Sequence, residues 1–245
     1  MLNRCFVTAA LALLVGCQTT STPEATKPTW DRGFLHARNV AGNKFCGYYL
    51  DHEYTDKCQK NFSKAAQNTG KKFPVIVFLH GCAKFMGDHS MWLVDLGYIV
   101  VSPDSFQREG RVGQCGGDKF HILPMRNAEI NYAREQLKKM DWVDQSRVFL
   151  VGVSEGGWAV ADHSGKGFRA KIIMGYGCQA DPISGSLPVL NLVGDLDRDR
   201  RGGNMLCSVS GRPNSEAVNV PEGAHLFRDN EFASEKIKMF LEQFK

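Results

Sequence analysis

Five runs along the chain are apolar at nearly every position, with no period of two or of three to four. They are Phe73–Leu79 (FPVIVFL), Gly97–Ser102 (GYIVVS), Arg147–Val151 (RVFLV), Lys171–Gly175 (KIIMG) and Pro188–Val193 (PVLNLV). Each is short and rich in β-branched and aromatic residues, the pattern of a strand covered on both faces. Ala217–Val220 (AVNV) is a weaker sixth. Helical stretches lie between them. Asp88–Leu96 is short, and Pro124–Met140 is long and ends in lysines, which favour a helix C-terminus. A third helix is expected from just after Ser154 to about His163. Glu231–Phe244 closes the chain, with Phe232, Ile237, Phe240, Leu241 and Phe244 expected on one face. Strands alternating with helices predict an α/β fold, a mostly parallel central sheet with helices on both faces. Residues 34–62 are expected to add an antiparallel edge held by Cys46 and Cys58.

A length of 245 residues allows one sizeable core and is short for two domains. A net charge of +4 is mild and gives no reason to expect a nucleic-acid partner.

The N-terminus changes the picture. One arginine precedes an apolar run from Phe6 to Gly16, too short to span a bilayer and of the form of a secretory signal. It ends in Leu14-Val-Gly-Cys17, which resembles a bacterial lipobox, a signal in which lipid is attached to the cysteine. Residues 1–16 are therefore expected to be a lipoprotein signal peptide and Cys17 the lipidated residue; a plain secretory signal is the alternative. Gln18 after the cysteine points to outer-membrane sorting if the cell is Gram-negative. The expected location is the cell envelope, with membrane contact through the lipid alone. The Thr/Ser/Pro-rich stretch after Cys17 reads as a flexible tether over 17–33, leaving 34–245 as the folded domain.

Of eight cysteines, Cys5 leaves with the signal and Cys17 carries lipid. The remaining six, Cys46, Cys58, Cys82, Cys115, Cys178 and Cys207, are an even number in an exported domain and point to disulfides. Pairing neighbours along the chain (46 with 58, 82 with 115, 178 with 207) has each pair bracket one loop region. No CxxC or Cys/His cluster has zinc-ligand spacing, so no metal is expected.

The chemistry centres on Phe149–Trp158 (FLVGVSEGGW), where Ser154 stands between glycines after a strand and before a helix. Gly152-Val-Ser154-Glu-Gly156 fits G-x-S-x-G, whose glycines let the chain turn sharply enough to expose a serine oxygen above a sheet. A serine needs a base and the base needs an orienting acid. The strand Pro188–Val193 ends in Gly-Asp195-Leu-Asp197, which places two candidate carboxylates at a strand's C-terminal end. His225 follows the weak sixth strand and precedes the last helix. The other downstream histidine, His163, lies on the serine's own helix. The amide of Glu155, next after Ser154, is a candidate donor to an oxyanion.

Together with FLHGC at Phe78–Cys82 and GYIVVSPDSF, these segments resemble the α/β-hydrolase superfamily, and most closely its dienelactone-hydrolase-like family, over roughly residues 70–245. The resemblance implies the α/β-hydrolase fold and the order serine, acid, histidine. It selects Asp197 as the acid, with Asp195 second, and places the second oxyanion donor at Cys82. It also implies that Arg198, Arg200 and Arg201 could hold a substrate carboxylate, against the alternative of a solvated loop. Dienelactone hydrolase itself has a cysteine nucleophile, so Ser154 points instead to a serine esterase. Gly175–Leu187 has room only for a loop, so no large cap domain is expected. An open site suits a small-molecule ester or acyl groups on a surface polymer. This acyl transfer calls for no cofactor. A serine peptidase of the same fold and a non-catalytic surface-binding lipoprotein are the alternative functions.

Overall fold

The computed structural model describes residues 21–38, 45–49, 66–83, 87–111, 115, 119–178, 182–197, 206–226 and 229–245, with the backbone alone for 45–49, 87–90 and 119. The elements in chain order are α1 (Pro23–Asp31), β1 (Phe34–Arg38), β2 (Phe45–Tyr49), β3 (Phe73–Leu79), α2 (Gly87–Asp95) and β4 (Ile99–Ser102). After a short 3-10 turn at Ser105–Gln107 come α3 (Lys119–Lys138), β5 (Val143–Val153), α4 (Glu155–Asp162), β6 (Lys171–Met174), β7 (Val189–Gly194), β8 (Glu216–Val220) and α5 (Glu231–Glu242).

The described strands form one eight-stranded sheet in the order β2-β1-β4-β3-β5-β6-β7-β8. All neighbours from β4 to β8 are parallel, and β1 is antiparallel to both β2 and β4. This is the α/β-hydrolase fold expected from the sequence, including its antiparallel edge.

The unbroken apolar runs are two interleaved patterns that feed two cores. Val75, Val77, Leu79, Val148 and Leu150 pack with Trp30 of α1, Ile130, Ala133 and Leu137 of α3, and Ala159 and Val160 of α4. Ile76, Phe78, Phe149 and Val151 point the other way, against Leu93 and Val94 of α2 and Ala233, Ile237, Phe240 and Leu241 of α5.

Three expectations need correction. The stretch expected to be tether over 17–33 contains α1. Thr22 caps it, its side chain accepting from the Ala25 amide at 3.2 Å, and Pro23 takes the first turn, where no amide is needed. Thr26, Thr29 and Trp30 are buried, and the Thr29 carbonyl accepts from the Asp104 amide at 2.8 Å. Composition favoured disorder, but one buried tryptophan and a cap outweigh it. Second, α3 starts at Lys119, before the expected Pro124, and tolerates the proline inside its second turn. Third, Phe232 is exposed; Ala233 takes the inward position at the head of α5, and Lys236 stands 5.7 Å over the Phe232 ring. Cys58 and the side chain of Cys46 lie outside the described residues.

Among the described residues two disulfides are present, Cys82–Cys115 and Cys178–Cys207, two of the three pairs that chain proximity favoured. They point to a chain that folds in an oxidising compartment. Among the described residues no helix is long and apolar enough to cross a membrane.

Candidate active site

Ser154 sits at the carboxyl end of β5, at the junction with α4, with φ 57° and ψ −119°. A non-glycine residue adopts this conformation only when its surroundings over-determine it. Here the Ser154 amide donates to the Met174 carbonyl of β6 at 2.9 Å, and the Ser154 carbonyl accepts from Trp158 at 2.9 Å. The glycines are required by close approach. A Cβ on Gly152 would fall 2.3 Å from the Gly156 carbonyl oxygen, and one on Gly156 would fall 2.1 Å from the Leu79 carbonyl oxygen. The elbow is thus pressed against β3, and Ser154 is left partly exposed above the sheet.

The loops after β7 and β8 are laced together: Asp195 N donates to Val220 O at 3.1 Å and Leu196 N to Gly223 O at 2.9 Å. This brings Asp197 Oδ2 to 2.9 Å from His225 Nδ1. Asp197 is buried and Asp195 exposed, so of the two aspartates it is Asp197 whose carboxylate meets the ring. A carboxylate only accepts, so Nδ1 carries the proton and Nε2 the lone pair, the arrangement a general base needs. The ring stands over the end of β6. A Cβ on Gly175 would lie 3.5 Å from His225 Cε1 and 2.7 Å from the His225 carbonyl oxygen. Gly175 directly follows Met174, the partner of the Ser154 amide.

On the other side, a Cβ on Gly81 would lie 3.4 Å from Ser154 Cβ and 3.8 Å from its Oγ. The loop His80-Gly81-Cys82 therefore runs along the serine, and the Cys82–Cys115 bridge fastens it. Glu155 opens α4, so its amide is among those that a helix leaves without an intrahelical acceptor. A serine in a strained elbow, a histidine oriented by a carboxylate and a backbone loop beside the hydroxyl are the parts that acyl transfer uses.

The family model for the dienelactone hydrolase family matches residues 63–200, more than half of the chain. The chain belongs to the dienelactone hydrolase family. It is a hydrolase of the α/β fold. No curated protein matches its sequence significantly. Among solved structures, a candidate dienelactone hydrolase from Klebsiella pneumoniae subsp. pneumoniae MGH 78578 is 15% identical with a TM-score of 0.54, over 71% of this chain and 88% of that one. A candidate dipeptidyl aminopeptidase IV from Bacteroides ovatus ATCC 8483 is 17% identical with a TM-score of 0.51, over 87% of this chain but 36% of that one. At these identities the likeness concerns the fold.

In this dienelactone hydrolase family member a buried ionic cluster, missed by sequence reasoning, lies beneath the elbow. The Glu155 carboxylate accepts from Arg111 Nη2 at 2.5 Å and lies 3.7 Å from Arg126 Nε. Arg126 and Glu129 are fully buried on α3 and pair at 3.0 Å, while Arg108 Nε stands 3.5 Å from Glu129. Two charges three residues apart on the face that carries Ile130, Ala133 and Leu137 mark Arg126 and Glu129 alone, and nothing local joins them to Glu155 or Arg111. His80 is buried beside them. Its Nδ1 donates to Gly81 O at 2.7 Å and its Nε2 accepts from Ser105 N at 3.0 Å. Burial, then the Arg126 charge, hold its pKa well below the usual imidazole range. It is a neutral structural histidine under the loop. His163, at the far end of α4, contacts Asn131.

Arg198, Arg200, Arg201 and Cys17 lie outside the described residues. Among the described residues, no three His, Cys, Asp or Glu side chains are gathered as a metal site.

Proposed function

We propose that this protein is an exported, lipid-anchored serine hydrolase that cleaves carboxylic esters through an acyl-enzyme. The observation that carries the reading is Ser154 on a strained elbow, with the Asp197–His225 pair over the neighbouring strand. Ser154 Oγ attacks the ester carbonyl carbon as His225 Nε2 takes its proton, and a carbon–oxygen bond forms. The amides of Glu155 and Cys82 hold the oxyanion. As the intermediate collapses, the bond to the alcohol breaks and the alcohol leaves with the proton from His225. Water, activated by the same histidine, then releases the acid. Asp197 keeps the ring in its tautomer and stabilises its charged form. Serine in place of cysteine moves the substrate from dienelactones to ordinary esters. The basic run Arg198, Arg200 and Arg201 follows Asp197 directly and would favour esters with a free carboxylate, since a guanidinium matches it with two bonds. Cys17 would carry the lipid, a reading supported by the LVGC motif after the apolar run and by the disulfides. Conversion of Cys17 to serine should then move the protein from the membrane fraction to the soluble one.

The test is labelling by a fluorophosphonate together with rates on p-nitrophenyl esters, with and without a free carboxylate, and on aminoacyl anilides. Wild-type protein should label and cleave esters. Ser154→Ala should lose the label and about three orders of magnitude of kcat. Labelling at another residue, or ester turnover that survives Ser154→Ala, would sink the proposal. Cleavage of anilides in preference to esters would favour a peptidase.

A further inference from the structure

We infer that Arg126 is a positioning residue, one that joins the two halves of the oxyanion hole through its guanidinium; the inference rests on the serine-hydrolase reading above. The two amides assigned to the hole lie far apart in sequence. Cys82 belongs to the loop after β3 and Glu155 to the first turn of α4. Catalysis needs both amides aimed at one point, at 2.7–3.1 Å from an oxygen that exists only during reaction. A small shift of either segment spoils that geometry, so something has to fix one against the other.

Arg126 reaches both. From the middle of α3, fully buried, it donates through Nη2 to the His80 carbonyl at 2.5 Å. This carbonyl lies two residues before Cys82. Its Nε, which makes no hydrogen bond, is in ion-pair contact at 3.7 Å with Glu155 Oε1, the carboxylate of the residue that supplies the other amide. Nη1 donates to Glu129 Oε2 at 3.0 Å, which fixes the plane of the fork. Glu129 in turn accepts from Ser105 Oγ at 2.9 Å, and the Ser105 amide donates to His80 Nε2. The His80 ring closes the circuit by donating to Gly81 O. Arg111, four residues before the cysteine that is bonded to Cys82, donates to the same Glu155 oxygen. Arg126 and its partner Glu129 thus connect to the loop twice, at the His80 carbonyl and, by way of Ser105, at the His80 ring.

Packing alone does not call for this arrangement. Taking several charges out of water costs more than an apolar filling of the same volume, and a fork whose nitrogens reach different segments contributes specificity of geometry. Glu155 is also exposed to only 8%, so its charge is held by arginines and not by water.

The experiment compares wild-type protein with Glu155→Gln, Arg126→Lys and the double variant. It measures kcat and KM on an ester and on the matching thionoester, in which sulfur replaces the carbonyl oxygen and fits a hole of amides poorly. Ser154 labelling by fluorophosphonate is read first, and a wild type that does not label overturns the parent reading and this one with it. With labelling in hand, each single variant should lower kcat on the ester about tenfold, less than the 10²–10³ of deleting a hole donor. KM should hardly move, and the preference for oxygen over sulfur should fall by a similar factor. The double variant should be little worse than the poorer single, because both act through one linkage. Should Arg126→Lys fail to fold, Glu155→Gln, of equal size, decides alone. A folded Glu155→Gln with wild-type kcat overturns the inference. So does a slower variant that keeps the full preference for oxygen, for that is what a merely structural cluster would give.

Discussion

At Asp197 and Asp195 two identical side chains, two residues apart, meet different surroundings. Asp197 is buried with its carboxylate on His225 Nδ1, and Asp195 is exposed. Asp197→Asn keeps the volume but offers the ring a donor as well as an acceptor, which permits the wrong tautomer. It should lower kcat by orders of magnitude in ester assays, by analogy with other triads, while Asp195→Asn stays near wild type. The reverse ranking would move the acid to Asp195. Sequence left this choice to the spacing customary in the family, because both aspartates end the same strand. Ser154 was legible from its glycines, since the close approaches at Gly152 and Gly156 exclude any other residue. The Arg126–Glu155 cluster was not legible. Its members, at positions 108, 111, 126, 129 and 155, meet only through the packing of α3 on the sheet, and no local pattern encodes that.

At the scale of elements, the two ends of α4 carry different duties. Its N-terminus presents Ser154, and its C-terminus is tied down by Lys171, the first residue of β6. The Lys171 ammonium donates to the carbonyls of His163 and Ser184. Burial, with Arg212 adding to it, pushes Lys171 down to about 7 from an ordinary 10.5. The unfolded chain therefore keeps this proton between pH 7 and 10.5 while the folded one releases it. Where the unfolded state binds more protons, stability rises with pH. Denaturant midpoints of the wild type should accordingly climb across that window relative to Lys171→Met, whose profile lacks this contribution. Parallel profiles would mean that Lys171 keeps its proton when folded. His163 is likewise lowered to about 4, by burial first and by Lys171 second, so its share of stability is lost as pH falls from 6.5 towards 4. The strands were legible because burial on both faces leaves an unbroken apolar run. Helix α1 was not: its single large apolar anchor, Trp30, is too little for a periodic signal, and threonines and prolines read as linker.

For the molecule as a whole, the two described disulfides start beyond the carboxyl ends of strands, Cys82 after β3 and Cys178 after β6, and the Cys178–Cys207 bridge is packed into the hydrophobic core. They close spans of 33 and 29 residues. On the chain-entropy account, loops of that size are each worth about 3–4 kcal/mol, because the cross-link restricts the unfolded chain. Two of them together approach the ~5–15 kcal/mol by which a typical domain is stable at all. Urea unfolding with and without a reductant should show this as a large drop in midpoint, and an unchanged midpoint would mean that the reduced chain keeps its loops closed. The consequence concerns timing. A copy held back among reducing thiols would hover near its unfolding threshold, open to proteases and with the loop beside Ser154 unfastened. Oxidation would then fasten that loop and give the chain its durability in one event.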